Sequence, residues 1–164
     1  MTPPSTSAPT PPRSGRNPDG PPVRVLLVED NPGDVLLAKE ALEEAQMPVE
    51  LHVVDDGEEA VAFLRKEGVH AEVPTPTLIL LDLNLPKKSG LEVLCEVKED
   101  DALRSIPVVI FSSSEAKEDI AQAYACHANC YVTKPGDLSD LVRVVKAIES
   151  FWLTVVRLPR RKVA

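Results

Sequence analysis

A chain of 164 residues has room for one domain with a full core and not for two ordinary ones. Its formal net charge of -8 understates the acidity of the body, because residues 23–156 carry 12 Lys and Arg against 25 Asp and Glu while both ends lean basic. So acidic a body argues against nucleic acid as the main partner; no apolar run suits a secretory leader or a bilayer span, so the expectation is a cytoplasmic protein with no membrane partner.

Residues 1–22, MTPPSTSAPTPPRSGRNPDGPP, hold almost nothing to bury against the entropy of ordering the chain, which predicts a disordered Pro-rich tail. From residue 23 onward, short β-rich apolar runs alternate with segments of helical period. The strand-like runs are VRVLLV (23–28), ELHVV (50–54), TLILLDL (77–83), PVVIFS (107–112) and NCYVT (129–133). The third and fourth are nearly continuous in apolar residues, as strands covered on both faces should be, and the second alternates as an edge strand would. Between them, Asp30 or Asn31 can cap a first helix opened by Pro32 and closed before Pro48. Further helices follow Asp56, begin near Gly90, run from Glu115 to Ala125 and start at Leu138. Residues 67–76 read as a longer polar loop. Right-handed crossovers make this a doubly wound five-stranded parallel α/β sheet with helices on both faces, over residues 23–150. Residues 151–164 form a C-terminal helix extension and basic tail.

Cys95, Cys126 and Cys130 are an odd number in such a chain, so free, packed thiols are expected instead of a disulfide framework. CHANC (126–130) lacks the paired ligand clusters of a structural zinc site.

Ligands of an open α/β sheet sit beyond the carboxyl ends of its strands. Here the first strand ends in Glu29 and Asp30, the third in Asp82 followed by Asn84, the fourth in Ser112 and the fifth in Lys134. Singly, each has an ordinary explanation as a helix cap, a turn hydroxyl or a surface lysine. At four strand ends of one sheet, coincidence is the weaker account. Crowded acids resist ionising unless a cation neutralises them, and an all-oxygen set suits a hard ion such as Mg²⁺. Lys134 supplies a second positive charge and Ser112 a hydroxyl donor. This chemistry suits phosphoryl transfer with Asp82 as the nucleophile.

These residues resemble the receiver domain of two-component response regulators. The resemblance rests on VEDN (28–31), LLDLNLPKKSG (80–90), PVVIFSSSEA (107–116) and CYVTKP (130–135), in the family's order. It implies a flavodoxin-like sheet of order 2-1-3-4-5 and a signalling protein, not an enzyme in the ordinary sense. Asp82 would be the phosphoacceptor for a histidine kinase. Mg²⁺ would be bound by Glu29, Asp30, Asp82 and the backbone carbonyl of Asn84. Lys134 would hold the phosphoryl group, Ser112 would turn toward it and draw Tyr131 inward, and the Lys134–Pro135 bond would be cis. Glu29, Ser112 and Gly136 depart from the commonest residues without removing a required group.

NLPKKSGLEVL, HANCYVTK and AIESFWLTVVRLP are similar to small single-domain regulators that partner bacterial phytochromes, which implies a phytochrome-type kinase and no DNA-binding output domain. The last helix is apolar on more than one side: Leu141, Val145, Ile148 and Trp152 share a face, while Phe151, Leu153, Val155 and Val156 add apolar surface around it. This predicts a homodimer through the face of the fourth helix, fifth strand and fifth helix, with Phe151, Trp152, Leu153, Val155 and Val156 in the interface. Three rivals are weaker. An aspartyl phosphatase would want an acid at Asn84. A flavin module would not place EDNPGD where a phosphate binds. A receiver working without phosphorylation would not need the intact acids and lysine.

Overall fold

The computed structural model describes residues 21–44 and 48–159. Nearly all of the tail predicted over 1–22, and the end of the basic terminus, lie outside the described residues.

Five parallel strands form one sheet, as the alternation predicts, in the order β2-β1-β3-β4-β5 that the resemblance implies. They are β1 (Val23–Val28), β2 (Val49–Val54), β3 (Leu78–Leu81), β4 (Val108–Ser112) and β5 (Cys130–Thr133). The helices are α1 (Pro32–Glu43), α2 (Gly57–Leu64), α3 (Gly90–Glu99), α4 (Lys117–Ala125) and α5 (Leu138–Ser150), with a π-helical turn, Phe151–Val155, continuing α5. The predicted polar loop carries a short 3₁₀ turn at Gly68–His70.

The pleat of β1 explains the two layers, because alternate side chains enter opposite cores. Leu26 and Val28 join Ile79, Leu81, Val108 and Ile110 under α2, α3 and α4, whereas Val25 and Leu27 join Leu78, Leu80, Val109 and Phe111 under α1 and α5. Every residue of β3 and β4 is buried, which accounts for their unbroken apolar run up to Ser112, the one polar residue, at the site end of β4.

Cap residues set the helix starts. The Asn31 side chain accepts from the N–H groups of Gly33 and Asp34 with Pro32 at the first helical position, and Ser89 and Glu92 form a reciprocal capping box. Gly90 is required by proximity: a Cβ there would lie 1.9 Å from the Asp82 carbonyl oxygen. The PKKSG turn thus folds α3 directly back onto the end of β3 and fixes the backbone of Asp82.

Three expectations are corrected. Cys95 and Cys126 form a disulfide, with Cα atoms 5.3 Å apart, and only Cys130 is a free thiol among the described residues. Packing of α3 beside α4 brings together residues that sequence spacing leaves unrelated. The Lys134–Pro135 bond is trans; the modest preference between isomers of a proline amide leaves either available, and Lys134 reaches its partners from the trans form. Trp152 and Leu153 are not an outer surface: Trp152 continues the inward face of Leu141, Val145 and Ile148, and Leu153, in the π-helical turn, joins the same core under α1 and α5, where the two are 9% and 1% exposed. The Trp152 side chain packs within that core together with Cys130 of β5.

Candidate functional site

The predicted carboxyl edge of the sheet gathers Glu29, Asp82, Ser112 and Lys134. Parallel registry does this: Val28 pairs with Val54 and Leu81, and Leu81 with Ile110, so Glu29 and Asp82 leave β1 and β3 at the same level, while Ser112 and Lys134 follow one and two positions further along β4 and β5 and close the same edge. Glu29, Asp82 and Ser112 are buried, whereas Asp30 and Asn84 are exposed at the rim.

Lys134 Nζ sits among three carboxylates, donating to Glu29 Oε2 at 2.6 Å, Asp34 Oδ2 at 2.9 Å and Asp82 Oδ2 at 3.0 Å. Its three N–H bonds are thereby all used. The ring of Phe111 lies below, with its centroid 5.4 Å from the same nitrogen. Burial opposes the ammonium charge, but the hydrogen bonds to Glu29 and Asp34 and the charges of Asp82 and Glu29 outweigh it and hold the Lys134 pKa above that of an ordinary lysine. At Glu29 burial wins over the stabilising Lys134 contact, and with repulsion from Asp82 it pushes the carboxyl up to about 7.

Carboxylate oxygens of Glu29, Asp30 and Asp82 lie within 4.8 Å of one another. The donor set is all oxygen, partly buried and open to solvent at Asp30, which fits a hard divalent cation. Asn84 contributes its N–H, 3.2 Å from Asp82 Oδ1, which orients the carboxylate.

On the β4 side, Ser112 Oγ accepts from the Ser114 N–H at 3.3 Å. The Tyr131 hydroxyl donates to the Ser114 carbonyl at 2.8 Å, and the Ser114 hydroxyl donates to Asp119 in the first turn of α4. Ser112, the loop after β4, Tyr131 on β5 and the start of α4 therefore form one connected unit. The sequence reading missed Asp34. Its signal was available in EDNPGD, where Pro32 opens the helix and sets Asp34 at the third helical position, but an acid in a first turn is ordinary.

A buried aspartate at the carboxyl edge of a doubly wound sheet, flanked by acids, a hydroxyl and a lysine, defines a receiver-type switch protein. The chain belongs to the response regulator receiver domain family, whose model matches residues 25–146. It is 48% identical over 139 residues to response regulator Rcp1 of Synechocystis sp., covering 85% of this chain and 95% of that one. Among solved structures, the phosphorylated cyanobacterial phytochrome response regulator RcpA is 50% identical with a TM-score of 0.83, and the Mn²⁺-bound form of Rcp1 is 47% identical with a TM-score of 0.84. Each alignment covers 85% of this chain and all of the other.

Proposed function

We propose that Asp82 is the phosphoacceptor of this response regulator, in a Mg²⁺-dependent reaction with a histidine kinase. The observation that carries the proposal is the contact of Asp82 Oδ2 with Lys134 at a rim shared with Glu29 and Asp30. An Asp82 carboxylate oxygen attacks the phosphorus of the kinase's phosphohistidine, and the phosphorus–nitrogen bond breaks with its electron pair leaving on the imidazole. The product is an acyl phosphate on Asp82, returned to carboxylate by water. Glu29, Asp30, Asp82 and the Asn84 backbone carbonyl would hold Mg²⁺, which supplies charge neutralisation for the incoming phosphoryl oxygens. Lys134 donates to those oxygens as well, and its burial keeps it from being lost to solvent.

The added charge and acceptor oxygens offer the Ser112 hydroxyl an acceptor in addition to the Ser114 N–H that it already accepts from. Its connection through Ser114 to Tyr131 and Asp119 couples that event to the surface of α4, β5 and α5. Similarity to phytochrome response regulators supports a phytochrome-type kinase as the partner. No helix of the described residues is long and apolar enough to cross a membrane. Homodimerisation through the α4-β5-α5 face keeps Phe151 and Val155 as its anchors, since both are more than half exposed, with Val156 at its margin; Trp152 and Leu153 support that face from beneath.

The test is incubation with Mg²⁺ and a small phosphodonor, followed by intact mass. One added phosphoryl group is expected, and none in Asp82→Asn; undiminished uptake in that variant would refute the assignment.

A further inference from the structure

Asp34 stands apart from the acids around it. It occupies the third helical position of α1, where an acid ordinarily reaches back to the N–H of the cap residue. That N–H, on Asn31, instead donates to Glu29 Oε1 at 3.1 Å. Asn31 caps the helix by accepting from Gly33 and Asp34, so the helix makes no demand on the Asp34 carboxylate. The side chain, 19% exposed, turns to Lys134, one hundred residues away in sequence.

Of the three carboxylates around Lys134, Glu29 and Asp82 belong to the set that converges as a cation site, and Asp34 does not. A divalent cation taken up by that set competes with the ammonium for the negative charge of Glu29 and Asp82. Without another acceptor, Lys134 would hold those two carboxylates in competition with the cation. Asp34 offers it a place that costs the cation no ligand, on the α1 flank and still beside Asp82.

Resting on the phosphoacceptor reading, we propose that Asp34 is a positioning residue that retains Lys134 at the site while freeing Glu29 and Asp82 for a divalent cation. It touches neither the phosphorus nor the cation and acts through Lys134. The substitution that removes it therefore weakens cation binding before any phosphoryl group is present.

The test is Mn²⁺ binding to the unphosphorylated full-length protein, read from the electron paramagnetic resonance signal of free Mn²⁺. Asp34→Asn is expected to weaken binding about tenfold, the worth of one hydrogen bond to a charged group. Asp34→Glu is expected to restore it to within about twofold, and Asp55→Asn, which removes a charge from the same rim away from Lys134, to change it less than about twofold. Unchanged Mn²⁺ affinity in Asp34→Asn, no rescue by Asp34→Glu, or an equal loss in Asp55→Asn would overturn the inference. Absence of uptake by the unaltered protein would instead overturn the phosphoacceptor reading, and the Mn²⁺ measurement would still decide the role of Asp34.

Discussion

Lys134 Nζ and Asp82 Oδ2 meet at 3.0 Å, joining the ends of β5 and β3, two strands separated by β4. This ion pair is almost wholly shielded, with 9% and 8% of the two side chains exposed, so the lysine is the counter-charge on which the metal-free acids depend. We expect Lys134→Gln to destabilise the protein in chelator by about 3–5 kcal/mol, the cost of stranding buried charge. Mg²⁺ should then raise its melting temperature by more than it does in the unaltered protein, because no ammonium competes for Glu29 and Asp82. Equal shifts in thermal melts of the two would contradict that competition.

Glu29 gives the metal-free protein a pH dependence of definite sign. Its folded pKa, about 7, lies above the ordinary 4.5, so between those values the native state keeps a proton that the unfolded chain has released. Its share of stability is therefore present at low pH and lost as pH rises through about 7. Urea unfolding in chelator at pH 5 and pH 8 should show a smaller loss for Glu29→Gln than for the unaltered protein. A loss of the same size would rule out Glu29 as the source.

Tyr131→Phe removes the hydroxyl that donates to the Ser114 carbonyl and leaves the ring packed as before. One hydrogen bond of about 1 kcal/mol corresponds to roughly five- to tenfold faster amide exchange over the loop before α4. Hydrogen–deuterium exchange followed by mass spectrometry reads this directly. Unaltered exchange from Ser114 to Asp119 would mean that the tyrosine does not hold the loop.

Two neighbouring aromatics at the chain's last turn should separate stability from association. Trp152 fills the core under α1 and α5, so Trp152→Ala should cost about 3–5 kcal/mol. Phe151 is 51% exposed and meets Trp152 edge to face, so Phe151→Ala should cost only about 1 kcal/mol of stability while weakening self-association. Denaturation and sedimentation velocity check the two arms. A monomer at micromolar concentration, with and without phosphorylation, would sink the homodimer.

The cysteines allow a direct count. Protein prepared without reductant and denatured should give one reactive thiol, Cys130, and three after reduction, because Cys95 and Cys126 are joined. Three thiols before reduction would show that the bond does not form in solution.

The fold class was legible because its causes are local. A strand buried on both faces is apolar along its buried length, as LILL and VVIF are, and alternation with helical segments leaves a parallel sheet as the consistent arrangement. Glu29, Asp82, Ser112 and Lys134 were legible for the same reason: parallel strands start and stop together, so residues just past their ends share an edge. Similarly, the apolar period of α5 marked Leu141, Val145 and Ile148 as core.

What the tertiary structure decided were the pairings that depend on direction and distance between elements. Trp152 keeps the inward face of Leu141, Val145 and Ile148, but phase around a helix depends on hydrogen-bond spacing, and at the π-helical turn Leu153 joined it inside while Phe151 and Val155 stayed outside. Packing of α3 beside α4 joined Cys95 to Cys126 across 31 positions. Asp34 was read as one more first-turn acid, since nothing local distinguishes it. Only the approach of α1 to the end of β5 shows that its carboxylate faces Lys134. The LLDLNLPKKSG segment combines both kinds of information: its sequence marks Asp82 as the acid at a strand's end, and the 1.9 Å approach to Gly90 shows why the turn had to be followed by a residue without a side chain.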